Sequence, residues 1–128
     1  MQNKTYATPT KRILCVEDDV DTCEILKLLF REYEITFADT LEHAQPLIDH
    51  QYFDLYILDN WLPDGSGIEL CQTIRARYPG SPILFTSAVG MQKDLDEAAA
   101  AGADRYLLKP CEPETLVKVV KELIENKN

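Results

Sequence analysis

Short apolar runs that stop on polar or charged residues recur along this chain, and the stretches between them carry apolar residues at helical spacing. A run of four or five apolar residues suits a buried strand and is too short for a buried helix. Residues 13–16 (I-L-C-V), 34–38 (E-I-T-F-A), 55–58 (L-Y-I-L), 82–85 (P-I-L-F) and 105–108 (R-Y-L-L) read as strands. Ile25, Leu26, Leu28 and Leu29, behind Asp19 and Asp21, predict a first helix ending near Glu32. Thr40 is a suitable N-cap for a second, which carries Leu41, Ala44, Leu47 and Ile48 and contains Pro46, expected to bend or loosen it. Ile68, Cys71, Ile74 and Tyr78 form the stripe of a third; Met91, Leu95, Ala98, Ala99 and Gly102 give a fourth a small inner face. Pro113 opens a fifth, with Leu116, Val119, Val120, Leu123 and Ile124 behind it. Such alternation calls for an α/β fold: a doubly wound, five-stranded parallel sheet with helices on both faces.

A chain of 128 residues is one domain of ordinary size. Residues 1–10 are polar and aperiodic and read as a loose N-terminal arm, with the folded unit at 11–126. No apolar run approaches the roughly 20 residues of a membrane span, and no signal-peptide pattern opens the chain, so a cytoplasmic protein with no membrane partner is expected. Cys15, Cys23, Cys71 and Cys111 lack metal-ligand or C-x-x-C spacing and read as buried free thiols. The net charge of −9 opposes binding to a phosphate backbone, so no nucleic-acid partner is expected.

The chemistry lies in what ends each strand. The first run stops at Glu17-Asp18-Asp19, the third at Asp59, the fourth at Thr86-Ser87 and the fifth at Lys109-Pro110. One parallel sheet brings all of these to a single edge, where ligands of open α/β sheets bind. Carboxylates about 5 Å apart repel by about 3 kcal/mol per pair at an effective dielectric near 20, so the cluster calls for a cation. Oxygen ligands with room for water suit Mg²⁺. Lys109 and a hydroxyl from Thr86 or Ser87 complete a phosphoryl pocket, leaving one carboxylate as nucleophile.

These residues resemble the receiver domain of two-component response regulators. The resemblance rests on I-L-C-V-E-D-D, I-L-D-N-W-L-P-D-G-S-G, I-L-F-T-S-A and A-G-A-D-R-Y-L-L-K-P, and spans residues 11–126. It implies a flavodoxin-like (βα)5 fold with strand order 2-1-3-4-5, and a phosphoryl group passed from a histidine kinase or histidine phosphotransfer protein to Asp59. It implies that Asp18 binds Mg²⁺ directly, Glu17 binds it through water, and Asp59 and the Trp61 carbonyl add ligands, while Asp19 starts a helix. Ser87, immediately before Ala88, takes the switch hydroxyl's place, Lys109 pairs with the phosphoryl oxygens before a cis Pro110, and Tyr106 is the aromatic that follows the hydroxyl. Output, or a homodimer, is implied through the fourth helix, fifth strand and fifth helix, with self-modification at Asp59 in place of enzymatic turnover.

Leu62 stands where methionine is frequent in that family. Trp61 and Val89, each two residues beyond a pocket residue, cannot act as a base toward a water; the expectation is a shielded, slowly hydrolysed phosphoaspartate, with Trp61 as a partner-contact aromatic or merely an exposed side chain the alternative. A receiver-like module that signals without phosphorylation is the alternative, which the complete pocket opposes. An aspartyl phosphohydrolase lacks its general acid, because Trp61 occupies that position. No output domain is expected within these residues.

Overall fold

The computed structural model describes residues 10–88 and 90–125, so most of the expected arm, Val89 and the last three residues lie outside it. In chain order the elements are β1 (Arg12–Val16), α1 (Val20–Leu29), β2 (Glu34–Ala38), α2 (Leu41–His50), β3 (Leu55–Asp59), β4 (Trp61–Leu62), β5 (Gly65–Ser66), α3 (Gly67–Arg77), β6 (Ile83–Ser87), α4 (Gln92–Ala101), β7 (Arg105–Leu108) and α5 (Pro113–Glu125). Five strands pair in parallel in the order β2-β1-β3-β6-β7. Counted within the sheet, that is the expected 2-1-3-4-5. β4 and β5 stand apart as a two-residue antiparallel hairpin directly after β3.

Period-two alternation along the strands divides the core. Leu14, Val16, Tyr56, Leu58, Ile83 and Phe85 pack with Ala44, Ile48, Leu70, Cys71, Ile74, Ala98 and Ala101 of α2, α3 and α4. Ile13, Cys15, Leu55, Ile57 and Leu84 pack instead with Leu26, Phe30, Leu116, Val119, Val120 and Ile124 on the α1 and α5 side. The central strands β3 and β6 are buried along their whole length, which is why they read as unbroken apolar runs.

Helix ends follow local chemistry. Asp19 caps α1 by accepting from Thr22 N, and Thr40 caps α2 by accepting from His43 N. α2 runs through Pro46 to His50. α1 stops at Leu29, short of Glu32, because Phe30 turns into the core. Ile25 and Leu28, expected on the inner face of α1, are exposed, as is Ala99 of α4, where Ala98 and Ala101 make the buried contact. α4 is held unevenly. Its first turn has no side-chain cap at Met91, whereas at its far end Arg75 donates to the Gly102 carbonyl from Nε (3.2 Å) and Nη2 (2.6 Å). Arg75 also reaches Ser81 O at 2.8 Å and Asp104 Oδ2 at 2.9 Å, tying α3, α4 and the start of β6 together.

Gly67, first residue of α3, lies against the phosphoacceptor candidate's own backbone: a Cβ there would stand 2.3 Å from Asp59 O and 3.2 Å from Phe85 Cζ. Backbone cannot swing aside as a side chain can. Gly67→Ala is expected to lower stability by about 1–3 kcal/mol, read as a fall in the urea midpoint with an unchanged slope.

Candidate functional site

All five strand ends of the sheet face one edge, and the charged side chains gathered there come from three of them. Glu17 and Asp18 follow β1, Asp59 closes β3 and Lys109 follows β7. One carboxylate oxygen from each of Glu17, Asp18 and Asp59 lies within 4.8 Å of the other two. Glu17 is 4 % and Asp59 7 % exposed, while Asp18 is open to solvent. Lys109 Nζ spans the buried pair, donating to Glu17 Oε1 at 2.8 Å and lying 3.2 Å from Asp59 Oδ1.

Backbone hydrogen bonds fix these positions. Glu17 N donates to Ala38 O at 2.9 Å, Asn60 N to Thr86 O at 3.1 Å and Lys109 N to Ser87 O at 2.8 Å, so each loop is bonded to a neighbouring strand end as it leaves the sheet. Asp19 N donates to Glu17 Oε2 at 3.1 Å, which orients that carboxylate. Asp19 itself accepts from Thr22 N at 2.9 Å and Thr22 Oγ1 at 2.6 Å, as a helix-start residue should. The Lys109-Pro110 bond is cis, as expected.

Burial foremost, then the charge of Glu17, raises the Asp59 carboxyl above its ordinary value, with Lys109 working the other way. For Lys109, burial alone would lower the ammonium, but the hydrogen bond and charge of Glu17, joined by Asp59, outweigh it and hold it above its ordinary value. Three carboxylates thus meet one ammonium. The excess negative charge and the all-oxygen donor set fit a hard divalent cation.

The hydroxyls separate by strand alternation. Thr86 Oγ1 donates to Leu58 O at 3.5 Å, within the sheet. Ser87 is fully buried and two residues on from Phe85, hence on the same face. Tyr106, half-buried, packs on that face with its ring 5.8 Å from the Phe85 ring. Trp61, by contrast, is 61 % exposed on the hairpin. Val89 lies outside the described residues.

Sequence reasoning missed the hairpin and its attachment. Asp64, which carried no role in the sequence, accepts from Leu41 N (Oδ1, 2.8 Å) and Glu42 N (Oδ2, 3.1 Å) at the start of α2. Those hydrogen bonds lower its carboxyl below the ordinary value, that to Leu41 contributing most. No local pattern could reveal a cap supplied from 23 residues away.

A family model for the response regulator receiver domain matches residues 13–121. The chain is 37% identical over 111 residues to response regulator protein FleR of Pseudomonas aeruginosa, covering 85% of this chain and 24% of that protein. It is 40% identical over 115 residues to the uncharacterized transcriptional regulatory protein YrkP of Bacillus subtilis, covering 88% of this chain and 49% of that one. The chain therefore spans half or less of these relatives. Among solved structures, a response regulator receiver domain protein from Methanospirillum hungatei superposes with a TM-score of 0.87 at 30% identity, covering 92% of this chain and 96% of its own. A two-component response regulator from Clostridium difficile gives 0.85 at 31% identity, covering 91% and 97%.

Proposed function

The chain belongs to the response regulator receiver domain family, whose function is phosphorylation-dependent signalling, and from that premise we propose that Asp59 is its phosphoacceptor, served by Glu17, Asp18, Ser87 and Lys109. One observation carries the reading: Lys109 bridges Glu17 and Asp59 while three carboxylates converge within 4.8 Å. An Asp59 carboxylate oxygen attacks the phosphorus of the donor, the donor's bond to phosphorus breaks with its electron pair leaving on the donor atom, and an acyl phosphate forms. Lys109, already charged and 28 % exposed, turns from the carboxylate to the new phosphoryl oxygens. Mg²⁺ is the cation proposed: Asp18, Asp59 and the Trp61 carbonyl would hold it, with Glu17 acting through water, and it would supply positive charge to offset that of the phosphoryl group.

The donor proposed is a histidine kinase or histidine phosphotransfer protein. Exposed Val20, Ile25 and Leu28 on α1 support a protein donor, as does an apolar cavity of about 450 Å³ between α1 and the β7–α5 connection that reaches Glu17 and Lys109. Ser87 and Tyr106 are proposed as the switch, read out by an output domain or second copy at the face of α4, β7 and α5, where Met91 and Leu108 are exposed. The protein modifies itself and turns over no released substrate. No helix among the described residues is long and apolar enough to cross a membrane, and all four cysteines are free; a cytoplasmic location fits both.

Incubation with a small-molecule phosphodonor is expected to add one phosphoryl group, read as intact mass, only with Mg²⁺ present; peptide mapping should find it on Asp59. Ser87→Ala should still take up the group but lose the chemical-shift changes in α4 and β7. A native, folded chain that stays unmodified would overturn the reading in favour of a module that signals without phosphorylation.

A further inference from the structure

The hairpin that follows Asp59 is too small to hold its own shape. Two strands of two residues supply almost no pairing, and even longer isolated hairpins are marginal in water. Its base is secured to the sheet through Asn60, which accepts from Gly67 N on its carbonyl and from Ser66 Oγ on Oδ1, both at 2.9 Å. Its tip is secured elsewhere. Asp64 places both carboxylate oxygens on the first two amides of α2, and Gly65 (φ 151°) lies so close that a Cβ there would stand 2.6 Å from Leu41 Cδ1.

The start of α2 is in turn part of the site's frame. β2 ends at Ala38, whose carbonyl accepts from Glu17 N, and only Asp39 and Thr40 separate it from Leu41. A closed circuit therefore runs from the acidic pair through Ala38 and the α2 terminus to Asp64, and back along the hairpin through Trp61 to Asp59. A charged acceptor on two helix N-terminal amides is a strong closure, because the bonds are charge-assisted and the helix dipole adds to them. We infer that Asp64 is a positioning residue: by clamping the hairpin tip to α2 it fixes the backbone at Trp61 relative to Glu17, Asp18 and Asp59, and so sets the affinity of the pocket for its divalent cation. This rests on the cation site proposed above.

A second residue separates clamping from simple helix capping. Thr40 caps the same helix end through His43 N at 3.0 Å and, among the described residues, makes no hydrogen bond to the hairpin. Thr40→Ala and Asp64→Ala remove comparable caps, and each should lower the melting temperature by a few degrees. Only Asp64→Ala opens the circuit. In a Mg²⁺ titration by calorimetry it should weaken affinity about three- to tenfold, at or below the low end of what loss of an outer partner does to a metal site, with Thr40→Ala matching the native chain. Asp64→Asn, which keeps one acceptor oxygen, should fall between. Trp61 is the sole tryptophan, so with no cation present its fluorescence anisotropy should drop in Asp64→Ala and hold in Thr40→Ala. Equal effects of the two alanine variants, or native affinity in Asp64→Ala, would overturn the inference while leaving the cation site intact. A native chain that binds no Mg²⁺ would overturn the cation site, and this role of Asp64 with it.

Discussion

Asp59→Asn is expected to take up no phosphoryl group from a small-molecule donor and, at neutral pH without divalent cation, to melt a few degrees above the native chain. The first effect follows from chemistry: an amide oxygen is a poor nucleophile and cannot form the acyl phosphate. The second follows from the electrostatics of the pocket. Burial and the Glu17 charge raise the Asp59 carboxyl above its ordinary value of 3.8, so the folded chain holds that proton more tightly than the unfolded chain does. The stability this group contributes is present below the unfolded carboxyl's range and is lost as pH rises through the folded value. At neutral pH the ionised group therefore opposes folding, and asparagine removes that opposition, while Lys109 keeps its 2.8 Å bond to Glu17. Melting curves across pH check this: the gap between variant and native should narrow as pH falls toward the ordinary carboxylate range. Mass spectrometry supplies the other half. A phosphoryl adduct on the variant would move the acceptor elsewhere, and a variant less stable than native would mean that Asp59 supports the fold.

Lys109→Met acts in the opposite direction. It leaves two buried carboxylates facing each other without their shared ammonium. Breaking a buried pair usually costs several kcal/mol, but Lys109 is 28 % exposed and water screens it, so about 1–3 kcal/mol is expected. Phosphoryl uptake should fall about tenfold to a hundredfold, as when one preorganised donor to a developing charge is lost. Mg²⁺ should nevertheless bind more tightly, because a competing positive charge has gone. Denaturation, uptake kinetics and calorimetry test the three effects separately. Unchanged uptake would make Lys109 a fold-stabilising counter-ion alone, and weaker Mg²⁺ binding would mean that it orients the carboxylates.

What could be read in the sequence was what each segment states locally. β1, β3, β6 and β7 carry apolar runs that stop on Glu17, Asp59, Ser87 and Lys109, and a parallel sheet must bring such stops to one edge. Both faces of the central strands are buried, so those runs were continuous and their ends sharp. The helices were less legible where apolar character and burial part company. Ile25 and Leu28 fit a helical stripe with Leu26, yet α1 turns Leu26 into the core and leaves those two in solvent. β4 and β5 are too short to carry any period. The Asp64 clamp and the close approach of Gly67 to Asp59 depend on pairs brought together only by the finished fold.

The uneven fastening of α4 gives that helix a direction. Arg75 locks its C-terminal turn to α3 and to the start of β6, whereas its first turn, nearer Ser87, has no side-chain cap. Such a helix behaves as a lever with its fulcrum at Gly102, and its free arm points at the end of β6. Were Ser87 to move as the proposed switch, the displacement would be applied where the helix is least fastened, and Arg75 would keep the far end from following.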